Sequence, residues 1–417
     1  MLRKGATFHN GEPVTAEDVK FSFERYRGAS HDMLKSRTAA IEISDSQHIR
    51  FKLKEPWPDF LTFYGGATGA GWIVPKKYVE KVGDDGFKKA PIGAGPYKFV
   101  SFTPGVELVL EAFEQYWRKI PSVKRIVIRS IPDESTRLAA LKAGEVDIIY
   151  WITGDLAKEL QRTPGLTLKA VAVQTTFFLY LPEQWDPKSP WHDERVRRAA
   201  SLAIDRKSIN QALTLGHSLL TGNSFVPTNF DFYWQPPEPT YELAKAKQLL
   251  SDAGYPGGFD AGAYYCDAAF ANIGEAVLNN LREAGIRANL RPIERAAFIK
   301  SYAEKKYKNL IMAASAAYGN AATRLEVSVV KGGAFAYGSY PDIDALFQQQ
   351  AIELGHGQRE MVLHKIQELV HERVIAAPIW QLGAHSGVGP RVGESGFGLI
   401  AGYPWTSPYE DITLKAP

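Results

Sequence analysis

The apolar positions of the chain follow two periods, and turn residues separate the segments in which each period holds. Helical spacing follows Thr15, which predicts a helix capped by Thr15 with Asp18 at the N3 position of a capping box. Period-two alternation predicts a strand at 49–53, and a further helix is expected at 75–82. The first ninety residues therefore form a small block of mixed structure.

A second block begins near residue 91 and combines a hairpin with an α/β unit. The alternation predicts paired strands at 97–102 and 106–112. A strand at 125–131, a helix ending at Lys142 and a strand at 146–151 follow in that order. Asp133 is the expected N-cap of the helix and Gly144 its C′ residue. This order predicts a right-handed unit with parallel strands.

The third block, from about residue 178, alternates helices with strands. Helices are predicted at 194–203, from 205, at 241–253, 274–284, 296–305 and 357–373, and strands at 261–266, 286–292, 309–314 and 377–381. Such alternation is typical of a mainly parallel sheet flanked by helices. Residues 383–417 are rich in Gly and Pro.

Composition narrows the class of protein. The 417 residues are 45% hydrophobic, which excludes a disordered chain, and they are enough for two or three domains. A net charge of +3 with intermixed signs is not the pattern of a nucleic-acid-binding protein. The single cysteine, Cys266, excludes an intrachain disulfide and a cysteine-rich metal site. The sequence contains no apolar run of about 18 residues that could span a membrane.

Catalytic motifs are missing from the sequence. There is no Gly-x-Ser-x-Gly and no His-Glu-x-x-His. His364 and His371 could share a helix face, but a solvated face is the favoured interpretation over a metal site. The acid pairs Asp84-Asp85 and Asp342/Asp344 are interpreted as turn residues rather than a hydrolytic pair. We therefore expect no enzyme activity, no cofactor and no metal.

Four segments carry a resemblance to a known family. They are Leu2–Arg25, the Pro-Ile-Gly-Ala-Gly-Pro-Tyr of 91–97 (with Ala94 where Thr is usual), the stretch 131–148 and the stretch 196–206. Together they resemble the family 5 extracellular solute-binding proteins of ABC importers, which include oligopeptide, dipeptide and nickel binders. The resemblance follows essentially the whole chain in order.

The resemblance implies an α/β, periplasmic binding protein-like fold: two lobes and a small extra subdomain around a ligand cleft. It implies the subdomain at 1–90, lobe 1 at 91–176 with 383–417, and lobe 2 at 177–382. Hinge crossings are expected near 173–181 and 378–384, with closure driven by the ligand. The implied partners are a small-molecule ligand and membrane permease subunits, for a monomeric periplasmic protein.

The family motif usually lies well inside the mature chain, whereas here it begins at residue 2. We therefore expect the usual preceding segment, with the signal peptide and the first strands, to lie upstream or to have been removed. In the family that segment contributes to lobe 1 and the cleft. Its absence predicts an incomplete sheet edge and an incomplete pocket.

Candidate ligand-binding residues come from two rules: residues that flank hinges face the cleft, and α/β folds bind ligands at the carboxyl ends of strands. Aromatic residues supply apolar or stacking walls. The candidates, with Cys266 beside two of them, are Trp72, Phe177, Tyr265, Asp267, Tyr318, Arg324, Trp380 and Gln381.

The segment 317–324 bears on the ligand class. In the peptide-binding branch of the family an acid of this segment pairs with the ligand's ammonium group, and here no acid is present. Arg324 would suit a carboxylate or phosphate, although a surface Arg bridging to Glu326 is the alternative interpretation. The sequence thus predicts a binding protein for a non-peptide solute, such as an organic or aromatic acid, an opine-like or a sugar-like compound. A di- or oligopeptide-binding protein, a hydrolase using cleft carboxylates, and a periplasmic sensor or chaperone-like module are the alternatives.

Overall fold

The chain divides into two compact units in the computed structural model, which describes residues 1–28, 30–65, 69–315 and 319–416. Unit 1 comprises Met1–Lys169 and His385–Pro417, and unit 2 comprises Ala170–Ala384. The chain therefore passes from one unit to the other twice.

Unit 1 begins with the helix that the capping residues predict. The Thr15 hydroxyl accepts a hydrogen bond from the Asp18 N–H, and the Asp18 carboxylate accepts one from the Thr15 N–H at 2.9 Å, which confirms the capping box. The elements up to residue 162 are α1 Ala16–Arg25, α2 His31–Arg37, β1 Thr38–Asp45, β2 His48–Leu53, α3 Phe60–Tyr64, α4 Lys76–Lys89, β3 Tyr97–Thr103, β4 Glu107–Ala112, β5 Arg125–Arg129, α5 Glu134–Lys142, β6 Ile148–Tyr150 and α6 Gly154–Arg162.

Strand pairing in unit 1 is antiparallel. β1 pairs with β2, and β3, β4 and β5 form a three-stranded sheet in that order. Phe23, Leu34, Trp57 and Ala70 form a small core beside β2, with aromatic rings such as Phe51 packed against it. The predicted hairpin is confirmed, and the predicted helix at 75–82 extends to residue 89.

The strands on either side of α5 occur in the predicted order and pair with other strands. Asp133 caps α5 as expected, accepting from the Thr136 N–H at 2.7 Å. However, β5 pairs with β4, and β6 pairs antiparallel with residues 386–388, so the two strands are not hydrogen-bonded to each other. The predicted right-handed, parallel crossover therefore stays a prediction, because neither the alternation along a strand nor these pairings specify the relative direction of β5 and β6.

Unit 2 is built from alternating helices and strands. Strand β7, Thr167–Tyr180, and strand β11, Ala376–Val388, each continue across a unit boundary. Between them lie α7 Glu194–Leu202, α8 Arg206–Thr214, α9 Leu243–Asp252, β8 Phe259–Asp267, α10 Ala271–Ala284, β9 Ile286–Ile293, α11 Arg295–Ala303, β10 Leu310–Ser315, α12 Ala321–Ser328, α13 Pro341–Ile352 and α14 His356–Glu372.

The sheet of unit 2 is mixed rather than all-parallel. The strand order is β11-β7-β10-β8-β9; β10 pairs parallel with β8 and β8 with β9, whereas β10 pairs antiparallel with β7. Side chains of β7 alternate between two apolar clusters, with Phe177 and Leu179 in one and Phe178 and Tyr180 in the other. Both faces of the sheet are therefore buried, and this explains the continuous apolar runs of β7 and β10.

Two helices of unit 2 lie where the sequence suggested loops or turns. Asn320 caps α12 by accepting from the Thr323 N–H at 3.1 Å, so Arg324 lies on a helix. Asp342 and Asp344 lie in the first turn of α13, and Asp342 is paired with Arg373 at 2.5 Å. Their interpretation as turn residues is wrong, because acids are equally typical of a helix N-terminus.

Candidate functional site

Arg324 is buried within unit 2, with 1% of its surface exposed. Its guanidinium donates to the Gln174 carbonyl of β7 at 3.0 Å and to the hydroxyl of Ser315, the last residue of β10. The guanidinium carbon lies 5.0 Å from the centroid of the Phe230 ring. Its Nε, although buried, has no hydrogen-bond partner among the described residues. The interpretation of Arg324 as a surface residue is therefore wrong.

Two other buried arginines of unit 2, Arg197 and Arg206, differ from Arg324 because all their guanidinium nitrogens donate hydrogen bonds. Every guanidinium nitrogen of Arg197 donates to a backbone carbonyl. Arg206 likewise uses all three nitrogens, on the Pro378, Ser201 and Ile204 carbonyls and the Ser201 hydroxyl. These two side chains are fully satisfied structural links, whereas Arg324 keeps one donor unused.

The Gln381 side chain forms hydrogen bonds with Val173, Thr228 and Asn229. Its amide nitrogen donates to the Val173 carbonyl at 2.8 Å and to the Asn229 side-chain oxygen at 3.2 Å. Its amide oxygen accepts from the Thr228 N–H at 2.8 Å. The Asn229 amide nitrogen is buried and, within the described ranges, has no hydrogen-bond partner. The Gln174 side-chain oxygen is also buried and unpaired.

These contacts join the residues into one cluster. On β7, the Val173 carbonyl accepts from Gln381 and the Gln174 carbonyl accepts from Arg324. Asn229 contacts Gln381, and the next residue, Phe230, contacts Arg324. We call this cluster the Arg324 network; its members are Gln174, Asn229, Phe230, Ser315, Arg324 and Gln381. It offers two unused donors and one unused acceptor. Buried polar atoms without partners are uncommon in folded proteins, and a bound water or ion is one explanation for them.

The charge of the network is uncompensated. Burial lowers the pKa of Arg324 to about 9, so the guanidinium remains charged at neutral pH. Among the ion pairs of the described residues none involves Arg324. Asp231, the neighbour of Phe230, directs its carboxylate to His356 at 3.4 Å. The network therefore presents a desolvated positive charge, which favours an anion.

Phe177 and Trp380 lie in the apolar core of unit 2, each 1% exposed. The Phe177 ring meets Phe270 edge-on at 4.8 Å. The indole N–H of Trp380 is buried and unpaired. Their packing role is clear from this burial, and a ligand contact for either residue stays a prediction.

Tyr265 and Asp267 lie at the end of β8, which pairs with β10. Tyr265 stacks on Tyr307 with centroids 4.3 Å apart. Asp267 accepts from the Ala269 N–H at 3.0 Å and pairs with Arg295 at 2.8 Å. The carboxylate thus caps a helical turn and neutralises an arginine, and its proposed role in ligand binding stays a prediction.

The two remaining candidates are Trp72 and Tyr318. Trp72 belongs to unit 1 and is 72% exposed. Tyr318 lies outside the described residues. Sequence reasoning missed Gln174 and Asn229; the signal available for Asn229 was a polar pair, Thr228 and Asn229, inside an otherwise apolar stretch.

Two cavities lie within single units. One of about 230 Å³ in unit 2 is lined by Trp234, His371 and a proline-rich segment. The other, of about 680 Å³ in unit 1, is lined by β5 and β6. Over the described ranges, no group of three or more His, Cys, Asp or Glu side chains is placed to hold a metal ion. Within the same ranges, no helix combines the length and apolar character needed to cross a membrane.

Comparison with known proteins places this chain among binding proteins. A family model described as "Bacterial extracellular solute-binding proteins, family 5 Middle" matches residues 1–335. Heme-binding protein A of Haemophilus influenzae is 27% identical over 96% of this chain and 80% of its own length. Oligopeptide-binding protein AppA of Bacillus subtilis is 29% identical, with 61% of this chain and 48% of its own length covered.

A solved structure has the same fold. The crystal structure of a putative peptide binding protein AppA from Clostridium difficile superposes with a TM-score of 0.84 at 20% identity. The superposition covers 99% of this chain and 88% of that chain. The predicted fold class, α/β and periplasmic binding protein-like, is confirmed.

Proposed function

Because the chain belongs to the family 5 bacterial extracellular solute-binding proteins, we propose that it is the substrate-binding component of an ABC import system. It captures a small solute outside the cytoplasm and delivers it to a membrane permease. The printed names of the matched relatives describe binding proteins, and the motifs of the common hydrolases are missing from the sequence. Both observations favour transport over catalysis.

We propose further that the solute carries a carboxylate that binds Arg324. The observation that carries this proposal is the buried Nε of a guanidinium that has no ion pair and no Nε partner within the described part of the chain. Isolated buried charge costs several kcal/mol. In Arg197 and Arg206, hydrogen bonds from every guanidinium nitrogen offset this cost. In Arg324, a bound anion would supply the missing partner and offset the rest of the cost.

The remaining members of the Arg324 network would recognise the rest of the solute. The unpaired Asn229 amide nitrogen offers a second donor to the carboxylate, and Gln381 holds that amide in place at 3.2 Å. The unpaired Gln174 oxygen would accept from a hydroxyl or amine on the same ligand. This combination suits hydroxylated or amino-substituted organic acids, including opine-like compounds.

A di- or oligopeptide is the competing ligand class. A free peptide brings an ammonium group, which needs a carboxylate when it is buried. Asp267, the one acid among the candidate residues, is already engaged by Arg295 and by the Ala269 N–H. Segment 317–324 contains no acid. The network therefore lacks a described counter-charge for a peptide amino terminus.

A thermal-shift screen followed by calorimetry tests the proposal. The panel contains mono- and dicarboxylic acids, opine-type acids, their neutral amide analogues, sugars, and di- and tripeptides. We expect carboxylic acids to stabilise the protein, and Arg324→Gln to weaken their binding by at least about tenfold, since a hydrogen bond to a charged group contributes about 1.5–3 kcal/mol. Arg195→Gln is the matched control, because Arg195 is an exposed arginine paired with Asp193.

Two results would contradict the proposal. The first is strong stabilisation by di- or tripeptides with none by organic acids. The second is equal binding of an acid by the wild-type protein and by Arg324→Gln. Turnover of any bound compound would instead support the hydrolase alternative.

A further inference from the structure

The cavity of about 230 Å³ in unit 2 is lined by residues of α7, of α14 and of the chain segment between α8 and α9. Part of its wall consists of Trp234 and His371, whose rings meet edge-on with centroids 5.8 Å apart. Burial lowers the pKa of His371, so its imidazole is mainly neutral at pH 7. The wall therefore offers two uncharged aromatic rings to a ligand.

A proline-rich stretch forms a second part of the lining, with Pro236, Pro237 and Pro239. The stretch packs closely on Gly222, where φ is +69° and where a Cβ atom would lie 2.5 Å from the Pro237 carbonyl oxygen. The close approach requires glycine, and each proline ring fixes its own φ. This part of the cavity is therefore preformed.

Arg198 and Ser201 of α7 supply the polar part of the lining. They are three positions apart and so share one face of the helix. The Arg198 Nη2 donates to the Glu194 carboxylate at 2.7 Å and to the Glu372 carbonyl at 2.6 Å, whereas its Nε and Nη1 have no acceptor among the described residues. The Ser201 hydroxyl accepts from Arg206 at 3.1 Å, and its own proton has no acceptor in the same ranges. Both side chains can therefore donate to a ligand.

Positive charge outweighs negative charge beside these donors. Burial lowers the pKa of Arg206 to about 9, so the guanidinium that contacts Ser201 remains charged at neutral pH. Glu238 is the acid of the lining, and its exposed carboxylate lies 3.4 Å from the Lys207 Nζ. Water and Lys207 screen this carboxylate, so it opposes a bound anion only weakly. Free donors together with positive charge favour a carboxylate.

The size of the cavity limits the ligand to a small molecule. An engineered apolar cavity of about 150 Å³ binds benzene, so 230 Å³ has room for one aromatic ring with a carboxyl group. We propose that this cavity is a second binding site, for a small aromatic acid whose carboxylate binds Arg198 and Ser201 and whose ring packs against Trp234.

The cavity also contacts both ends of the segment 223–234. The Gln367 side-chain oxygen accepts from the Asn223 amide at 3.0 Å and from the Trp234 N–H at 3.2 Å. The Gln367 amide nitrogen donates to the Phe232 carbonyl at 2.9 Å. Because Asn223, Trp234 and Gln367 all line the cavity, a ligand there contacts the residues that hold the segment in place.

The middle of the same segment carries Asn229 and Phe230 to the Arg324 network. An occupied cavity therefore restricts the motion of two residues of that network. Binding that orders a shared element lowers the cost of binding at the other site. This consequence, unlike the second site itself, rests on the function proposed above.

Calorimetry with benzoate at pH 7 tests the second site. Benzoate should bind the wild-type protein and the Arg324→Gln variant equally, since the cavity does not include Arg324. Arg198→Gln should weaken binding at least about tenfold, and benzamide, the neutral analogue, should bind more weakly than benzoate. Arg195→Gln is the matched control, because Arg195 lies on the same helix, is exposed and is absent from the lining.

Hydrogen exchange in the Arg324→Gln variant locates the bound benzoate. The Val226 N–H donates to the Asn223 side-chain oxygen at 3.0 Å, and the Trp234 N–H donates to Gln367. Exchange of these two amides should slow at least about threefold with benzoate, since both bonds depend on side chains of the lining. The amides of β4 in unit 1 should not change.

Three results would overturn the proposal. One is that benzoate binds neither protein. Another is that Arg324→Gln abolishes benzoate binding while Arg198→Gln and Trp234→Leu leave it intact, which would assign benzoate to the Arg324 network and support the proposed function instead. The third is binding without slower exchange at Val226 and Trp234. Retained benzoate binding beside unchanged affinity of Arg324→Gln for the acids of the screen would contradict the proposed function and support the second site.

Discussion

Arg324 of helix α12 donates a hydrogen bond of 3.0 Å to the carbonyl of Gln174, 150 positions earlier in the chain. The bond connects a charged side chain to strand β7 of the sheet, and none of the ion pairs seen in the described ranges involves this side chain. A structural arginine would use all its donors there, as Arg206 does. The contrast between these two residues leads to the first prediction.

Replacing each buried arginine should affect stability differently. Arg206→Gln removes the side-chain donors to the Pro378, Ser201 and Ile204 carbonyls and should lower the free energy of unfolding by about 3–5 kcal/mol. Arg324→Gln removes an unneutralised charge as well as two bonds, and should change it by no more than about 1–2 kcal/mol. Urea unfolding of the ligand-free proteins measures both. An equally large loss for Arg324→Gln would show that Arg324 is a structural residue.

Anion binding should fall at high pH. Burial lowers the pKa of Arg324 to about 9, and a bound carboxylate raises it again by favouring the charged form. Affinity is therefore fully present below pH 9 and is lost as the pH rises through the pKa of the free protein. Calorimetry from pH 7 to 10.5 checks this. A constant affinity across that range, in a protein that remains folded, would argue against a guanidinium contact.

The variant Asn320→Asp keeps a helix-capping side chain on α12 and adds a negative charge near the Arg324 network. Aspartate caps a helix as well as asparagine does, so stability should be retained, while Asn320→Ala should cost about 1 kcal/mol. The added carboxylate lies one turn before Arg324 and should weaken anion binding several-fold. Thermal melts and calorimetry on both variants measure the two effects. Unchanged anion affinity in Asn320→Asp would contradict a binding role for this helix.

The single thiol should be unreactive in the folded protein. Cys266 is fully buried, and burial raises the pKa of its thiol to about 11. Thiolate is the reactive form, so labelling by a disulfide reagent at pH 8 should require unfolding. The rate should increase with urea in parallel with the unfolding transition. Rapid labelling of the native protein would show that β8 opens locally.

Local rules predicted much of the fold. Thr15, Asp133 and Gly144 act within one or two helical turns, so capping residues were sufficient to locate α1 and α5. Strand neighbours were not predictable in this way. The partners of β5 and β6 depend on segments far away in the sequence, and alternation within a strand carries no information about them.

The candidate site, like the fold, was predictable from the sequence only in part. The residue type of Arg324 and the missing acid of its segment suggested an anion from the sequence. Its burial, the Gln174 carbonyl and the Asn229 amide held by Gln381 come together only through tertiary contacts between β7, β11 and α12. Asp267 appeared available in the sequence, yet a partner 28 positions later, Arg295, already neutralises it.

A crystal structure with the strongest carboxylic acid from the screen tests the central claim most directly. A ligand carboxylate oxygen should lie about 2.7–2.9 Å from the Arg324 Nε, with the Asn229 amide nitrogen as a second donor. A structure in which the acid binds elsewhere and the Arg324 Nε remains without a partner would contradict the account.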